Sequence, residues 1–174
     1  MKKMIMIPAL AGVLALSGVA MTGNTVEAAA KGLLTMEKAR AIAVKSVGGN
    51  VTEIELKRKK SGSIYEVEVQ SIGFEYDLDI DAKTGEILRT DKDDLDDMDD
   101  DDVFVFNKKF ITPEAAEKIA LKKAKGTIVK VALENDDNRV IYEIEIDDNA
   151  YEYEFDIDAI SGEILEFEKD KKDD

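Results

Sequence analysis

Asp79-Ile80-Asp81-Ala82-Lys83-Thr84-Gly85-Glu86-Ile87-Leu88 returns 77 residues later as Asp156-Ile157-Asp158-Ala159-Ile160-Ser161-Gly162-Glu163-Ile164-Leu165. The stretch reads as the end of one strand, a tight turn and the start of the next. Asp81 and Asp158 are placed to accept from backbone N–H groups two or three residues on. Thr84 and Ser161 can assist, and Gly85 and Gly162 supply a positive φ. Upstream the match continues at the same offset without a gap. Residues 35–88 align with 112–165, and 22 of the 54 positions are identical. Each copy is therefore one folding unit, and what both keep is first a candidate for structure.

Each unit opens with a helix. Thr35 and Thr112 stand as N-caps, with Glu37 and Glu114 in the first turn, where the helix dipole favours negative charge. Pro113 fits the first helical position. Met36, Ala39, Ile42, Ala43 and Val47 recur at helical spacing, as do Ala116, Ile119, Ala120 and Ala124. Gly48-Gly49 and Gly126 are read as the helix ends. Leu33-Leu34 and Phe110-Ile111 precede the caps, where a hydrophobic staple would sit.

Strand patterns follow. Val51–Arg58 and Ile128–Glu134 are the first and weakest. Ile64–Gln70, Ile141–Asp147, Phe74–Asp81 and Tyr151–Asp158 alternate cleanly, and Glu86–Arg89 and Glu163–Phe167 form a short fourth strand. Connections such as Ser71-Ile72-Gly73 and Asp148-Asn149 imply antiparallel hairpins. The fold class expected is α+β: two tandem units, each one helix packed on a three- to four-stranded antiparallel sheet. Their boundaries are 31–90 and 103–168, joined by an acidic linker over 91–102 and followed by a charged, frayed tail at 169–174.

The alternation sorts each sheet into two faces. Tyr65, Val67, Val69, Phe74, Tyr76, Leu78 and Ile80 point toward the helix. Glu66, Glu68, Glu75, Asp77, Asp79 and Asp81 point away. In the second unit Tyr142, Ile144, Ile146, Tyr151, Tyr153, Phe155 and Ile157 oppose Glu143, Glu145, Asp147, Glu152, Glu154, Asp156 and Asp158. One wet face is ordinary for an antiparallel sheet. A face on which cross-strand neighbours are both carboxylates is not, because like charges directly opposite are destabilising.

Residues 1–30 carry a secretory signal pattern. Lys2 and Lys3 are the basic region, Ile5–Ala20 is an apolar run, and Ala28-Ala29-Ala30 is a cleavage site. The run is shorter than the about 20 residues of a comfortable span, so cleavage after Ala30 is expected, with an uncleaved anchor as the alternative. No later segment is apolar enough to cross a bilayer, so no membrane span is expected after cleavage. The whole chain carries a net charge of −15 and no Cys. Such charge repels nucleic acid and anionic lipid, and each unit must hold itself without disulfides. No lipid-modified N-terminus is expected.

With no His and no Cys, imidazole and thiol chemistry are absent. The serines sit in no nucleophile context. Carboxylates could serve as acid and base, but a solvated face is the simpler reading. Asp77-x-Asp79-x-Asp81 resembles the start of a calcium loop, yet Ala82 stands where Gly is needed and Leu88 where Glu is needed. The weak metal candidates are Asp96, Asp97, Asp99, Asp100, Asp101 and Asp102 in the linker, which lacks the Gly turn that wraps ligands round one ion. No cofactor is expected.

Three features together resemble a known family. They are Ala39-x-x-x-Ala43 on the helix, Tyr65-Glu66-Val67-Glu68-Val69 on a strand, and Tyr76 followed by Ile80-Asp81-Ala82-x-Thr84-Gly85-Glu86-Ile87. The sequence is similar to the PepSY domain, present twice over 31–168. The resemblance implies a small helix-plus-antiparallel-sheet module. Such modules occur in propeptides of thermolysin-like metallopeptidases and in exported bacterial proteins, and are proposed to regulate peptidases or to act in binding. No catalytic residues carry over, no peptidase domain follows, and no His-Glu-x-x-His occurs. The expected function is an exported, non-catalytic interaction module. It would bind another exported or cell-envelope protein, a peptidase among the candidates, through Glu66, Glu68, Glu75, Asp77, Asp79, Glu143, Glu145, Glu152, Glu154 and Asp156. A cation-binding or wall-associated acidic protein is the alternative.

Overall fold

The computed structural model describes residues 32–95, 110–136 and 139–172. The signal pattern, the aspartates Asp96–Asp102 and the Val103–Phe106 stretch lie outside the described residues.

Helix α1 (Met36–Val47) starts at Thr35, whose hydroxyl accepts from Lys38 N at 3.3 Å, and ends at Gly48 with φ 71°. Helix α2 (Pro113–Leu121) starts at Thr112 in the same way, with Pro113 in the first turn. Between and after them run eight strands: β1 (Asn50–Lys59), β2 (Gly62–Ser71), β3 (Phe74–Asp81), β4 (Ile87–Asp94), β5 (Thr127–Asp136), β6 (Arg139–Asp147), β7 (Tyr151–Asp158) and β8 (Ile164–Lys171). Ala39 and Ala43 on α1, and Ala116 and Ala120 on α2, are fully buried. Their small side chains let each helix lie close on the sheet, over Val67, Leu78 and Ile80 in the first unit and Ile144, Phe155 and Ile157 in the second.

The two-unit reading allows the sheets to lie side by side without requiring it; the structure has a single sheet. All eight strands are antiparallel in the order β4-β3-β2-β1-β5-β6-β7-β8. The units join where β1 pairs with β5, through Glu53↔Ala132, Ile54↔Val131 and Glu55↔Lys130. Ile54 and Val131 are themselves 77 residues apart, so a pseudo-twofold passes between them. The physical reason is edge satisfaction. Left alone, β1 and β5 would each expose a row of unpaired backbone groups. The same strands read weakly in sequence because register shifts at Val51/Glu53 and Ile128/Lys130 break the period-two pattern. Bulges of this kind insert one unpaired residue.

Three expectations are corrected. Asp91–Asp94 do not belong to a linker but complete β4, opposite Asp77, Tyr76, Glu75 and Phe74. Composition alone misled here, because the strand carries its own counter-charge: Asp91 is buried against Arg89, two residues before it, at 2.9 Å, and Lys92 lies 3.1 Å from the Phe74 ring centroid. The tail does not fray at residue 169 either. β8 runs to Lys171, with Lys169 seated 3.7 Å from the Tyr151 centroid. Lys92 and Lys169 are again 77 apart, so the repeat extends past Leu88 and Leu165.

Gly126, third, is not a helix end. α2 stops at Leu121 with Lys122 as its cap. A Cβ at Gly126 would fall 2.3 Å from the Asp147 carbonyl oxygen, and one at Gly49 would fall 2.3 Å from that of Gln70. Both copies keep glycine because the chain enters the sheet against a neighbouring backbone. Gly126→Ala is therefore expected to cost about 1–3 kcal/mol through overpacking, lowering Tm by roughly 2–4 °C per kcal/mol, as a circular-dichroism melt would show.

Candidate functional site

The turn first quoted holds the sheet's outer hairpins. Asp81 Oδ1 accepts from Lys83 N at 3.0 Å, Thr84 N at 2.7 Å and Thr84 Oγ1 at 2.9 Å. Asp158 does the same with Ile160 and Ser161. Gly85 and Gly162 have φ near 77° and 74°. These contacts hold both aspartates below the ordinary carboxyl range. The segment before each helix docks on the turn through Leu34 N–H to Ala82 O and Ile111 N–H to Ala159 O, both 2.7 Å. Tyr65 and Tyr142 donate to Leu34 O and Ile111 O.

The face turned away from the helices follows from the register. One row crosses the whole sheet as Arg89, Asp79, Glu66, Glu55, Lys130, Glu145, Glu154, Glu168. The next runs Asp91, Asp77, Glu68, Glu53, Ala132, Glu143, Asp156, Glu166. Flanking them lie Asp93, Glu75 and Gln70 on one side and Asp147, Glu152 and Asp170 on the other. All ten residues expected from sequence sit in these rows. The union of the sheets gathers them on one surface.

The two halves differ electrically. In the first, Arg89 reaches Asp79 at 3.4 Å and Asp91 at 2.9 Å, Lys59 reaches Glu66 at 3.0 Å, and the Gln70 amide donates to Glu75. In the second, β6, β7 and β8 present a grid of nine carboxylates, three per strand, opposed in register. Counter-charge stands at its border: Lys130 bonds Glu143, while Arg58 and Lys172 lie 3.2 and 2.6 Å from Asp147. Among the described residues, Glu154, Asp156, Glu166 and Glu168 form no ion pair, and they line an open hollow of about 150 Å³.

Sequence reasoning missed Glu168 and Asp170, because β8 was cut short at Phe167, and it left Glu166 off the face although the expected strand contained it. It also missed Lys130, which holds the place that Glu53 has in the first copy. Extending the repeat alignment to Lys171 would have found the former. Noting that single charge reversal would have found the latter.

Burial and crowding act on these groups. Burial pushes the Glu145 carboxyl up to about 7, with Glu143, Glu152 and Glu55 adding to it against Lys130. Burial likewise raises Glu53, Glu134, Glu154 and Asp156. For Lys130, burial opposes the charge, but the bond to Glu143 and the charges of Glu143, Glu53 and Glu134 win and hold its ammonium protonated more firmly than usual. Carboxyl oxygens of Glu143, Glu154 and Asp156 lie within 4.8 Å of one another. Calcium takes six to eight oxygens, and Glu143 is already engaged by Lys130.

This is an α+β protein in which one antiparallel sheet carries two helices on one side and an open polar surface on the other. The family model described as "Peptidase propeptide and YPEB domain", PepSY, matches residues 33–91 and 110–168. The chain belongs to the PepSY family, whose domains are commonly non-catalytic propeptide or regulatory modules. It is similar to the uncharacterized protein YkoJ of Bacillus subtilis strain 168, at 35% identity over 84% of each chain. It is also similar to the crystal structure of a candidate lipoprotein of Clostridium difficile 630, with a TM-score of 0.52 and 28% identity over 79% of this chain and 93% of that one. Among the described residues no helix is long and apolar enough to cross a membrane.

The raised carboxyls set a direction for stability. A group that binds its proton more tightly when folded stabilises the fold below its unfolded value and loses that contribution as pH rises through the folded one. Tm is therefore expected to fall as pH rises from the ordinary Glu value of 4.5 through about 7, the range set by Glu145. The lowered Asp81 and Asp158, whose ordinary value is 3.8, work the other way and are lost in stronger acid. Glu145→Gln should raise Tm at pH 8 by roughly 2–4 °C per kcal/mol of repulsion removed and flatten the slope. Differential scanning calorimetry across pH reads both.

Proposed function

We propose that the chain is an exported, non-catalytic interaction module that docks a basic surface of another exported or cell-envelope protein on its helix-free carboxylate face. The observation that carries this reading is the in-register grid on β6, β7 and β8. Directly opposed like charges weaken a sheet, yet this half holds nine acids with bases only at its border. A cationic surface laid on the grid would supply the missing counter-charge and steer the encounter from a distance. The signal pattern over 1–30 supports a setting outside the cytoplasm. The family's connection with peptidase propeptides makes a peptidase the first partner class to try, as regulator or inhibitor.

A second reading is an acidic cation-binding protein. It is favoured by the approach of Glu143, Glu154 and Asp156 to within 4.8 Å and by the aspartates of 96–102, which lie outside the described residues.

The test starts from the chain spanning 31–174, used to capture partners from a secreted and envelope fraction. Affinity for a captured protein is then measured between about 50 and 500 mM NaCl. It is expected to fall about tenfold or more as exposed charge is screened, and to fall similarly in Glu145→Gln/Glu154→Gln/Glu168→Gln. The first-half variant Glu66→Gln/Glu68→Gln should change it less. An affinity indifferent to salt and to the grid variant sinks the acidic-face reading. Calcium binding by calorimetry that survives loss of partner capture would favour the second reading.

A further inference from the structure

The pseudo-twofold between Ile54 and Val131 brings repeat-equivalent residues face to face. Where two identical units pair about such an axis, a residue near the axis meets its own copy. Three positions here show what that would cause, and what this chain has instead. On the helix side, Arg40 is equivalent to Glu117, and the two are joined: Arg40 Nη2 donates to Glu117 Oε1 at 2.8 Å, with both residues buried. Arg40 Nη1 also reaches Glu114 at 2.9 Å. A first unit pairing with another first unit would put two buried arginines against each other.

On the open side, Glu53 and Glu55 are equivalent to Lys130 and Ala132. The register sets Glu55 opposite Lys130 and Glu53 opposite Ala132. Two first units would instead oppose Glu53 to Glu55 twice, giving four carboxylates at one seam. Two second units would bring Glu117 to Glu117, with Glu114 beside them and no arginine. Each like pairing is blocked on at least one side of the sheet, and only the mixed pairing is complementary on both.

We infer that the β1–β5 seam is a selective pairing surface whose fitting partner is a unit of the opposite kind, first with second. The selection uses two charge reversals between copies, Arg40/Glu117 beneath the helices and Glu53/Lys130 on the open face. Backbone pairing and apolar packing at Ile54 and Val131 supply the attraction, and the charges supply the discrimination. Buried ion pairs are poor sources of net stability but well suited to specifying a partner. The chain therefore closes on itself and leaves β4 and β8 as its free edges. Those edges carry Arg89, Asp91, Lys92, Asp93 and Glu166, Glu168, Lys169, Asp170, the charged character that discourages strand addition.

The test is a charge-exchange cycle in the full chain. Arg40→Glu and Glu117→Arg each create a buried like-charge pair and should lower Tm by about 10 °C, from the cost of breaking such a pair. The double exchange Arg40→Glu/Glu117→Arg reverses which unit carries which charge, and should recover at least half of the summed loss. Lys130→Glu keeps the helices intact while setting Glu opposite Glu55. It should lower Tm in dilute buffer and regain much of it in about 1 M NaCl, where screening is short-ranged, whereas Lys130→Met should lose less. A double exchange that loses as much as the sum of the singles, or that does not fold at all, overturns the inference. So does a Lys130→Glu chain that melts like Lys130→Met at low salt.

Discussion

Everything else in this molecule depends on the pairing of β1 with β5. Each repeat alone offers one helix over a four-stranded sheet and leaves its first strand at an edge. Joining the two first strands removes both edges at once and buries Ile54 and Val131 in the middle of the sheet. It also sets the two helices side by side, so that Arg40 can reach Glu114 and Glu117. The consequence for the opposite side is geometric. Two modest polar faces become one continuous surface of eight strands, with the rows of one unit running on into the rows of the other.

The elements legible in the sequence were those governed by local rules. The 77-residue offset, the Thr caps and the clean alternation of β3 and β7 needed only period and turn chemistry, and both strands have the bounds the pattern suggested. Illegible elements were those settled by a distant partner. β1 and β5 looked weak because a bulge in each breaks the alternation. The second half of β4 looked like a disordered acid run because what steadies it is strand geometry, which sets Arg89 beside Asp91 on one face and Lys92 over the Phe74 ring on the other. Gly126 looked like a cap because the carbonyl of Asp147, which forbids a side chain there, comes from the next strand.

The candidate surface divides along the same line. Which residues point away from the helices followed from alternation, and the ten carboxylates named from sequence share that face. Their unequal surroundings did not follow. Whether a carboxylate faces an arginine, as Asp79 does, or only other acids, as Glu154 does, is decided by register between strands far apart in sequence. Burial then compounds the crowding. Glu145 is held near neutrality because it lies in the middle of the sheet, opposite Glu154 and between Glu143 and Asp147, with Lys130 as its nearest relief.

The single reversal from Glu53 to Lys130 links fold and surface. Keeping Glu in both copies would have made the seam repel itself. Placing Lys in one copy lets the sheet close, but it also fixes where counter-charge stands on the open face. Lys130 occupies the centre, where it bonds Glu143 and Glu134, and Arg89 occupies the first edge, where it pairs with Asp79 and Asp91. The far edge has Glu166 where the first edge has Arg89, so that edge adds an acid instead of a base. Duplication within one chain thus freed the two copies to diverge. One consequence is a seam that accepts only unlike units, and the other is an acidic surface concentrated on β6, β7 and β8. A symmetric pair of identical units could have had neither.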